Sequence, residues 1–319
     1  MRTLLYTHPA SLAHVTPDGH PERVDRIKAV VKILGTPAFD ALMRREAPLG
    51  RDEDILLAHS AAHLARIRAA APEDGFEFLD PDTAMSPGTL EAALRAVGAA
   101  CAAIDAVFAG EADNAFCALR PPGHHAESNR AMGFCFFNQA AIAAHHARQT
   151  HGAQRIAIVD FDVHHGNGTQ DIFWSDRDLF YGSTHQMPLY PGTGARQERG
   201  EGNIFNAPLR AGDGGEQFRQ AMGAVILPAL DAFGPEFVIV SAGFDAHHRD
   251  PLGSLQLAEE DFAWVTLRIM EAADKHAGGR VVSVLEGGYD LQGLAASAGI
   301  HVQALMHGTA DLKTEDDLQ

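Results

Sequence analysis

Cysteine and long apolar runs are both scarce in this sequence. Of its 319 residues only three are cysteine, Cys101, Cys117 and Cys135, and no two of them form a Cys-x-x-Cys pair. This usage argues against a disulfide scaffold and indicates a reducing compartment, for which we expect the cytoplasm. No run of 18 apolar residues is present, and residues 1–6 are too short for a signal peptide and are typical of a first strand. We therefore expect no membrane span.

Positive charge is also in short supply. The chain has 25 Lys and Arg against 42 Asp and Glu, which gives a net charge of −17. Since no basic stripe is available to follow a phosphate backbone, we expect no nucleic-acid partner. Solubility is the simpler explanation of the negative charge, and attraction of cationic amines or lysine-rich peptides is the alternative.

Apolar strands alternate with alanine-rich helical segments along the whole chain, without a repeat or a linker. Helical stretches at 90–108 and 139–150 separate strands as crossover connections do, which predicts a parallel sheet in an α/β fold. A long glycine-containing loop is expected at 182–203. We expect one catalytic domain over residues 1–308, followed by a loose acidic tail at 309–319.

Charged residues stand at the end of one apolar strand. Residues 155–159 form the strand, and Asp160, Asp162 and His164 follow at alternate positions. Alternating side chains of a strand share a face, and buried carboxylates need a partner or a metal. The simple alternative is a capped strand followed by a polar turn. A carboxylate and an imidazole that converge in this way indicate half of a divalent-metal site.

A second apolar run supplies a third candidate ligand. Residues 237–241 lead through two small residues to Asp245. The carboxyl ends of parallel strands open onto one crevice, so Asp245 is expected to meet Asp162 and His164 there. An open catalytic zinc has three protein ligands of these types. Taken alone, Asp245 is equally typical of a helix cap.

Two further strand ends point to the same crevice. His124 and His125 follow the strand at 116–119 and a Pro-Pro-Gly turn, and Tyr289 follows the strand at 281–285 and two glycines. Imidazoles supply acid–base groups near neutral pH, and a tyrosine hydroxyl can donate to an oxyanion. For Gly-Gly-Tyr alone, an ordinary turn is the alternative. The pairs at 145–146 and 247–248 are expected at the surface.

Taken together, these segments resemble the histone deacetylase superfamily, and most closely its class II and bacterial deacetylase-like members. The blocks that carry the resemblance are, in chain order, His20-Pro-Glu22, Arg120-Pro-Pro-Gly-His-His125, Gly133-Phe-Cys-Phe-Phe-Asn138, Asp160-Phe-Asp-Val-His-His165-Gly-Asn-Gly168, Tyr190-Pro-Gly-Thr-Gly194, Ser241-Ala-Gly-Phe-Asp245 and Glu286-Gly-Gly-Tyr289. One block would be weak evidence, whereas several blocks in register over nearly the whole chain are specific.

The resemblance implies the arginase/deacetylase α/β fold, with an eight-stranded, mainly parallel sheet flanked by helices. It also implies a zinc-dependent amidohydrolase that cleaves an acyl amide by activated water, with Fe²⁺ as an alternative metal in the cell. The implied zinc ligands are Asp162, His164 and Asp245. His125 is implied as the general base and acid, His124 as an electrostatic aid, and Tyr289 as the oxyanion donor. Asp160 is implied as the partner of His124 and Asn167 as the partner of His125.

The resemblance also implies a substrate tunnel and a second ion. Gly133, Phe134, Tyr190 and Gly288 are implied to line a narrow apolar tunnel for an alkyl chain. A structural potassium is implied near the zinc. The side chains implied to hold it, together with backbone carbonyls, are Asp160, Asp162, His164 and Ser183. Relatives often form dimers or tetramers, so a homodimer or homotetramer is expected.

Departures from related branches narrow the expected substrate. Gly166 and His247 stand where the two-manganese arginase branch has acids, which argues against a dinuclear ureohydrolase. Leu252 stands where a polyamine-specific relative carries an acid, which favours acetyl-lysine in a protein or peptide over an acetylpolyamine or another small acylamide. Asp82 is a candidate acceptor for the substrate backbone N–H, or else a cap of the helix after Pro87. The alternative from another class is a catalytically silent acyl-amine binding protein.

Overall fold

A computed structural model describes residues 1–308, so the predicted tail at 309–319 lies outside the described residues. The strands are β1 (Thr3–Thr7), β2 (Met43–Glu46), β3 (Glu77–Phe78), β4 (Ala84–Met85), β5 (Asn114–Cys117), β6 (Ile156–Asp160), β7 (Leu179–Gln186), β8 (Ile204–Leu209), β9 (Phe237–Ala242) and β10 (Val281–Leu285). The strands β3 and β4 form a separate antiparallel pair. The other eight form one sheet in the order β2-β1-β5-β10-β9-β6-β7-β8.

Helices lie between these strands and cover both faces of the sheet. The α-helices are α1 (Ala10–Ala13), α2 (Val24–Leu34), α3 (Asp52–Ile55), α4 (Ala61–Ala69), α5 (Thr89–Phe108), α6 (Gln139–His151), α7 (Asn167–Phe173), α8 (Gly215–Ala221), α9 (Leu227–Phe233), α10 (Glu259–His276) and α11 (Leu291–His307). A 3₁₀ turn covers Pro37–Phe39, and a π-helical turn at Met222–Ile226 joins α8 to α9. No helix within residues 1–308 combines the length and the apolar character that crossing a membrane requires.

Every pairing in the large sheet is parallel, which confirms the predicted α/β fold. Central strands such as β6 are buried at every position, as expected for a sheet covered on both faces. Ile156 and Ile158 of β6 pack into the core on the side of α5 and α6, whereas Ala157 and Val159 pack into the core on the side of α10 and α11. The alternation of side chains along each strand therefore builds two cores, one on each face.

Strand order places four functional loops side by side. β5, β10, β9 and β6 are consecutive neighbours at the centre of the sheet, although they are far apart in the sequence. Because they are parallel, their carboxyl ends lie at the same edge, where ligands bind in open α/β sheets. The loops after these strands carry the four motifs found in the sequence.

Two local expectations were wrong. The loop predicted from residue 182 begins later, because β7 continues to Gln186 and pairs with β8 as far as Gln186 opposite Leu209. Its polar residues, such as Thr184 and His185, are buried all the same. His146 and His247, expected at the surface, are also buried. In each case neighbouring elements supply the burial, which a polar local sequence does not reveal.

A buried ion cluster ties the N-terminal region to the carboxyl edge of the sheet. Arg120, just after β5, donates from Nε to Glu22 Oε1 at 2.7 Å and from Nη2 to Glu22 Oε2 at 2.6 Å. Arg26 of α2 donates to the same carboxylate at 2.8 Å. All three side chains are fully buried. Burial opposes the charge of Glu22, yet Arg120, His14 and Arg26 hold the pKa of Glu22 well below its usual value.

Glu22→Gln tests whether this cluster stabilises the fold. The substitution keeps the shape and removes the charge that neutralises two buried guanidinium groups, so we expect a loss of roughly 3–5 kcal/mol in the free energy of unfolding. The measurement is urea denaturation followed by circular dichroism. Glu111→Gln, at the exposed pair with Arg45, is the control and should cost less than about 1 kcal/mol. Equal losses for the two variants would contradict this account.

Candidate active site

Asp162, His164 and Asp245 converge beyond the ends of β6 and β9. His164 Nδ1 lies 3.1 Å from Asp162 Oδ1 and 3.1 Å from Asp245 Oδ2, and all three residues are buried. The second oxygen of each carboxylate is already occupied. Asp162 Oδ2 accepts the Gly287 N–H at 2.9 Å, and Asp245 Oδ1 accepts the Val163 N–H at 2.8 Å. The remaining oxygens and the imidazole nitrogen therefore face one another.

The electrostatics of this group favour a bound cation. Burial raises the pKa of Asp245 to about 7, and the charge of Asp162 adds to the effect. Burial would lower the pKa of His164, but Asp162 and Asp245 raise it to about 10. Two carboxylates forced together in the core thus hold a positive charge near the imidazole. Two carboxylate oxygens and one imidazole nitrogen fit a zinc ion, which carries that charge without a proton.

Asp245 is not a helix cap, so that alternative is wrong. After β9 the next helix, α10, begins at Glu259 with Ala258 at its N-cap, and the Asp245 side chain turns back to the Val163 amide. The carboxylate is thus held towards β6 rather than towards a helix end.

Position 287 has no room for a side chain, because it lies directly beside the carboxylates of Asp162 and Asp245. A Cβ atom at this position would lie 2.1 Å from Asp245 Oδ2 and 2.6 Å from Asp162 Oδ2. Any other residue would push the two side chains out of their arrangement. The first glycine of Glu-Gly-Gly-Tyr therefore lets the backbone donate directly to Asp162.

The adjacent histidines differ in their partners and in their charge. His124 Nδ1 lies 3.0 Å from Asp160 Oδ2, and His125 Nδ1 lies 2.8 Å from Asn167 Oδ1. Burial would lower the pKa of His124, but Asp162 and Asp160 raise it well above its usual value. Burial, together with His124 and His164, lowers the pKa of His125 well below its usual value. The pair therefore joins an imidazolium to a neutral imidazole that can accept a proton.

A cavity of about 230 Å³ leads to these groups. The residues that line it are Asp82, His125, Gly133, Phe134, His164, Leu189, Tyr190, Leu252 and Tyr289. The ring centroid of Phe134 lies 5.9 Å from that of Tyr289, and the centroid of Tyr190 lies 5.2 Å from that of His125. The apolar walls of the cavity thus lead to the polar and titratable side chains of His125, His164 and Tyr289. Leu189 was not anticipated from the sequence.

Gly288 stands apart from the other predicted tunnel residues, because it is not among the residues that line the cavity in the described chain. Its carbonyl accepts a hydrogen bond from Arg26 Nε at 2.6 Å, and a Cβ at this position would meet Leu294 Cδ1 at 2.9 Å. Its contact with an alkyl chain stays a prediction.

The backbone at Gly133 and Phe134 is held in the left-handed region. Gly133 has φ +56°, and a Cβ there would lie 2.5 Å from the His125 ring. Phe134 has φ +68°, which is unfavourable for a residue with a side chain. The Phe134 N–H donates to Thr83 Oγ1 at 3.1 Å, which helps to hold this conformation. The strain places the Phe134 ring on the cavity wall.

Asp82 lies at the cavity and does not cap α5, so the helix-cap alternative is wrong. The N-cap of α5 is Gly88, and no side chain caps it. Asp82 Oδ1 accepts a hydrogen bond from Thr83 Oγ1 at 3.2 Å. Burial and the neighbouring Asp80 raise the pKa of Asp82. Its carboxylate is therefore available near the entrance.

Sequence reasoning missed three acidic residues behind the site. Glu286 Oε2 accepts the His124 N–H at 3.2 Å, and Asp250 Oδ2 accepts the Tyr289 N–H at 2.7 Å. Glu127 Oε1 accepts from Asn167 Nδ2 at 2.7 Å. Glu286 stands directly after an apolar strand, as Asp160 does, and that position could have signalled it. The pairings of Asp250 and Glu127 depend on chain folding and have no local signal.

The residues predicted to hold potassium lie around the end of β6. Asp160 pairs with Ser183 of β7 in the parallel ladder, and Tyr181 donates to Asp160 Oδ2 at 3.0 Å. Ser183 Oγ lies 2.9 Å from His185 Nδ1. Asp162 and His164 follow on the same segment, so the four side chains share one region. Their role as potassium ligands stays a prediction.

Comparison with known proteins supports the same interpretation. Residues 20–305 match the family described as the histone deacetylase domain. The chain is 43% identical to the histone deacetylase-like amidohydrolase of Pseudomonas aeruginosa over 88% of this chain and 74% of the relative. It is 38% identical to histone deacetylase 14, chloroplastic, of Arabidopsis thaliana, over 98% of this chain and 79% of the relative.

An archaeal relative and a solved structure extend the comparison. A probable deacetylase of Archaeoglobus fulgidus is 38% identical over 97% of this chain and 87% of its own length. The crystal structure of the HDA15 HD domain superposes with a TM-score of 0.91 at 34% identity, and the match covers 98% of this chain and 91% of that one. Sequence and backbone thus agree over nearly the whole chain.

Gly287→Ala tests the packing of the metal-ligand candidates. The added methyl group would displace Asp162 and Asp245, so we expect about a 10- to 100-fold loss of zinc affinity at this site. Competition with a chromophoric chelator gives the affinity. Gly223→Ala is the matched control, because its Cβ would meet no atom within 4 Å. Unchanged zinc affinity in Gly287→Ala would refute the steric argument.

Proposed function

Since the chain belongs to the histone deacetylase family, we propose that it is a zinc-dependent amidohydrolase that removes the acyl group from an acetyl-lysine-like side chain. One observation carries the proposal. Asp162, His164 and Asp245 lie beside the His124–His125 pair, and Tyr289 joins His125 and His164 in lining one apolar-walled cavity. This combination supplies a metal site, a base and an oxyanion donor within reach of one amide.

Zinc would be held by Asp162, His164 and Asp245. When bound, it supplies Lewis acidity that polarises a carbonyl and lowers the pKa of water. Fe²⁺ accepts the same donor types and is the alternative in the cell. Two anionic ligands make the metal less acidifying than three neutral histidines would, so the surrounding side chains need to share the work.

His125 is the proton carrier in this proposal. Its imidazole is neutral, lines the cavity and is oriented by Asn167 through Nδ1, so that Nε2 is the free nitrogen. It takes the proton of the attacking water and later returns that proton to the departing amine. His124, kept protonated by Asp162 and Asp160, stabilises negative charge in the transition state without transferring a proton.

Tyr289 is the oxyanion donor. Burial raises the pKa of its hydroxyl well above the usual value, although Arg26 acts in the opposite direction, so the hydroxyl keeps its proton. Asp250 accepts the backbone N–H groups of Tyr289 and Asp290 at 2.7 and 3.2 Å and thereby positions the residue. A donor fixed before the reaction stabilises developing charge without reorganisation.

The cavity walls support an extended alkyl chain as the substrate arm. Phe134, Tyr190 and Leu252 offer apolar surface, and Asp82 also lines the cavity. In this proposal Asp82 accepts a substrate backbone N–H. We therefore expect a protein or peptide acetyl-lysine as the first substrate, and an acetylpolyamine or other small acylamide as the second candidate. A silent acyl-amine binding protein is the alternative outside enzymes, and the presence of every catalytic group disfavours it.

The proposal also includes a second ion, a cellular compartment and an oligomeric state. A structural potassium at Asp160, Asp162, His164 and Ser183 would partly neutralise the acidic region behind the zinc. All three cysteines are free and buried, which agrees with a reducing compartment such as the cytoplasm. We expect neither nucleic acid nor membrane as a partner. Assembly into a homodimer or homotetramer stays an expectation.

Acetate release tests the reaction. The purified protein should release acetate from an acetyl-lysine peptide faster than from acetylputrescine, and a chelator should abolish both activities. Tyr289→Phe should lower kcat by about 100-fold, because one oxyanion donor is lost, while its unfolding midpoint stays at the wild-type value. Faster turnover of acetylputrescine would favour the polyamine candidate. Bound metal with no turnover of either substrate would favour the silent binding protein.

Glu127→Ala tests a positioning role for Glu127 behind the base. Glu127 holds the Asn167 amide so that its oxygen faces His125. We expect roughly a tenfold fall in kcat with KM unchanged, because His125 loses its orientation while the cavity is preserved. Glu127→Gln keeps the acceptor oxygen and should retain most of the activity. If both variants lost kcat equally, orientation of the amide would not be the cause.

A further inference from the structure

A second group of metal-ligating side chains lies away from the catalytic crevice. Asp54 of α3, Cys101 of α5 and His146 of α6 are all buried, and their ligand atoms lie within 4.8 Å of one another. His146 stands in the second half of α6, towards His151, where that helix ends before β6 begins. None of the three side chains lines the cavity of the catalytic site.

His146 has a carboxylate oxygen at each of its ring nitrogens. Nδ1 lies 3.1 Å from Asp54 Oδ1, and Nε2 lies 2.8 Å from Asp105 Oδ1. A neutral imidazole has one N–H group and cannot donate to both. With the hydrogen on Nε2, the lone pair of Nδ1 faces an anionic oxygen. That contact is favourable only if a proton or another cation lies between the two atoms.

The contact between His146 and Asp54 has the same length as a contact among the catalytic metal-ligand candidates. At both places a histidine Nδ1 lies 3.1 Å from a buried aspartate oxygen. The hydrogen bond at the other ring nitrogen of His146 is also typical of a metal ligand. A metal-ligating histidine commonly donates its other N–H to a carboxylate. Asp105 accepts in this way from His146, and His151 Nε2 lies 2.7 Å from the same Asp105 oxygen.

Cys101 supplies the observation that points to a metal rather than to a proton. Its thiol is buried beside Asp54 and His146 and has no hydrogen-bond partner within residues 1–308. A buried thiol among charged groups gains no contact from an ion pair between His146 and Asp54. As a thiolate ligand it would gain one, with release of its proton.

Arg51 opposes a cation at this place. It donates to Asp54 from Nε at 2.8 Å and from Nη2 at 2.7 Å. Its side chain is 65% exposed, so its charge is screened by solvent and the chain is free to turn outward. Its contact with Oδ2 also fixes the carboxylate, as outer-shell partners do.

We propose that Asp54, Cys101 and His146 form a second site for a divalent transition metal of the zinc class. A thiolate, an imidazole and a carboxylate are the donor types that zinc takes in proteins, and a fourth position is open to water. The ion would join α3, α5 and α6 on one face of the sheet. Its role is structural, because it would cross-link three helices and none of the three side chains lines the cavity of the catalytic site.

Cobalt(II) distinguishes the two sites by their donor atoms. The catalytic ligand candidates contain no sulfur, so a thiolate-to-cobalt charge-transfer band reports on a cysteine ligand alone. The starting protein is the full chain carrying Asp245→Ala, which removes one catalytic ligand, stripped of metal and titrated with cobalt(II) chloride. We expect the band to grow to saturation at one equivalent, and the unfolding midpoint to rise with it.

Cys101→Ser in the Asp245→Ala background should lose the band and the bound equivalent. Cys117→Ser is the matched control, because Cys117 is also a buried free cysteine and belongs to none of the groups of three metal-ligating side chains found in the described chain. This variant should keep both signals. Deacetylase activity is not measured, so failure of the proposed function leaves the result intact.

Three outcomes would overturn the proposal. The first is the absence of a thiolate band in Asp245→Ala, which needs no change at the new site and so does not depend on the folding of a further variant. The second is a band that survives Cys101→Ser. The third is a bound equivalent without a band that persists in Cys101→Ser and disappears in His151→Ala, which would place the ion between Asp105, His146 and His151.

Discussion

The crowding of buried negative charge at the carboxyl ends of β6 and β9 is the constraint on which the site depends. Asp162 and Asp245 are enclosed in the core, and each gives one oxygen to a backbone N–H, which leaves the other oxygen directed at His164. A cation satisfies this arrangement at a lower cost than desolvated carboxylates alone. The limited space around the carboxylates requires glycine at position 287, and their charge keeps His124 protonated. Burial and the neighbouring imidazoles of His124 and His164 keep His125 neutral.

The buried ion cluster around Glu22 connects the N-terminal region to the loops that form the site. Arg26 contacts Glu22 and donates to the Gly288 carbonyl, and its guanidinium lies 4.8 Å from the centroid of the Tyr289 ring. Arg120 reaches Glu22 from the start of the loop that carries the histidine pair. One carboxylate from the N-terminal region thus joins two loops that meet at the site. Damage to this cluster would therefore alter the position of Tyr289, the proposed oxyanion donor, as well as the stability of the fold.

The sequence predicted the site best where the functional residues come directly after a strand in the chain. Asp162, His164 and Asp245 stand within a few residues of apolar strands, so parallel pairing alone brings them to one edge. The family resemblance supplied the partners Asp160 and Asn167, which no local pattern specifies. The alternation of strands and helices predicted a parallel sheet in an α/β fold, and the family resemblance implied its eight strands.

What the sequence could not show depends on contacts between distant segments. The buried polar strand β7 and the buried His146 both read as exposed, because local polarity does not reveal which elements cover them. Glu127 reaches the site through Asn167, 40 positions away in the chain. Phe134 adopts a conformation that sequence patterns assign to glycine or asparagine. Strain of this kind is stored where function needs a side chain at a fixed place.

The order of the strands has a consequence for biosynthesis. β9 and β10 are made after β8, yet they fill the gap between β5 and β6 at the centre of the sheet. Until the ribosome has released both, the nascent chain carries two incomplete half-sheets with apolar open edges, which are templates for intermolecular pairing. The strands β9 and β10 therefore complete the sheet last, and their arrival closes the open edges of β5 and β6.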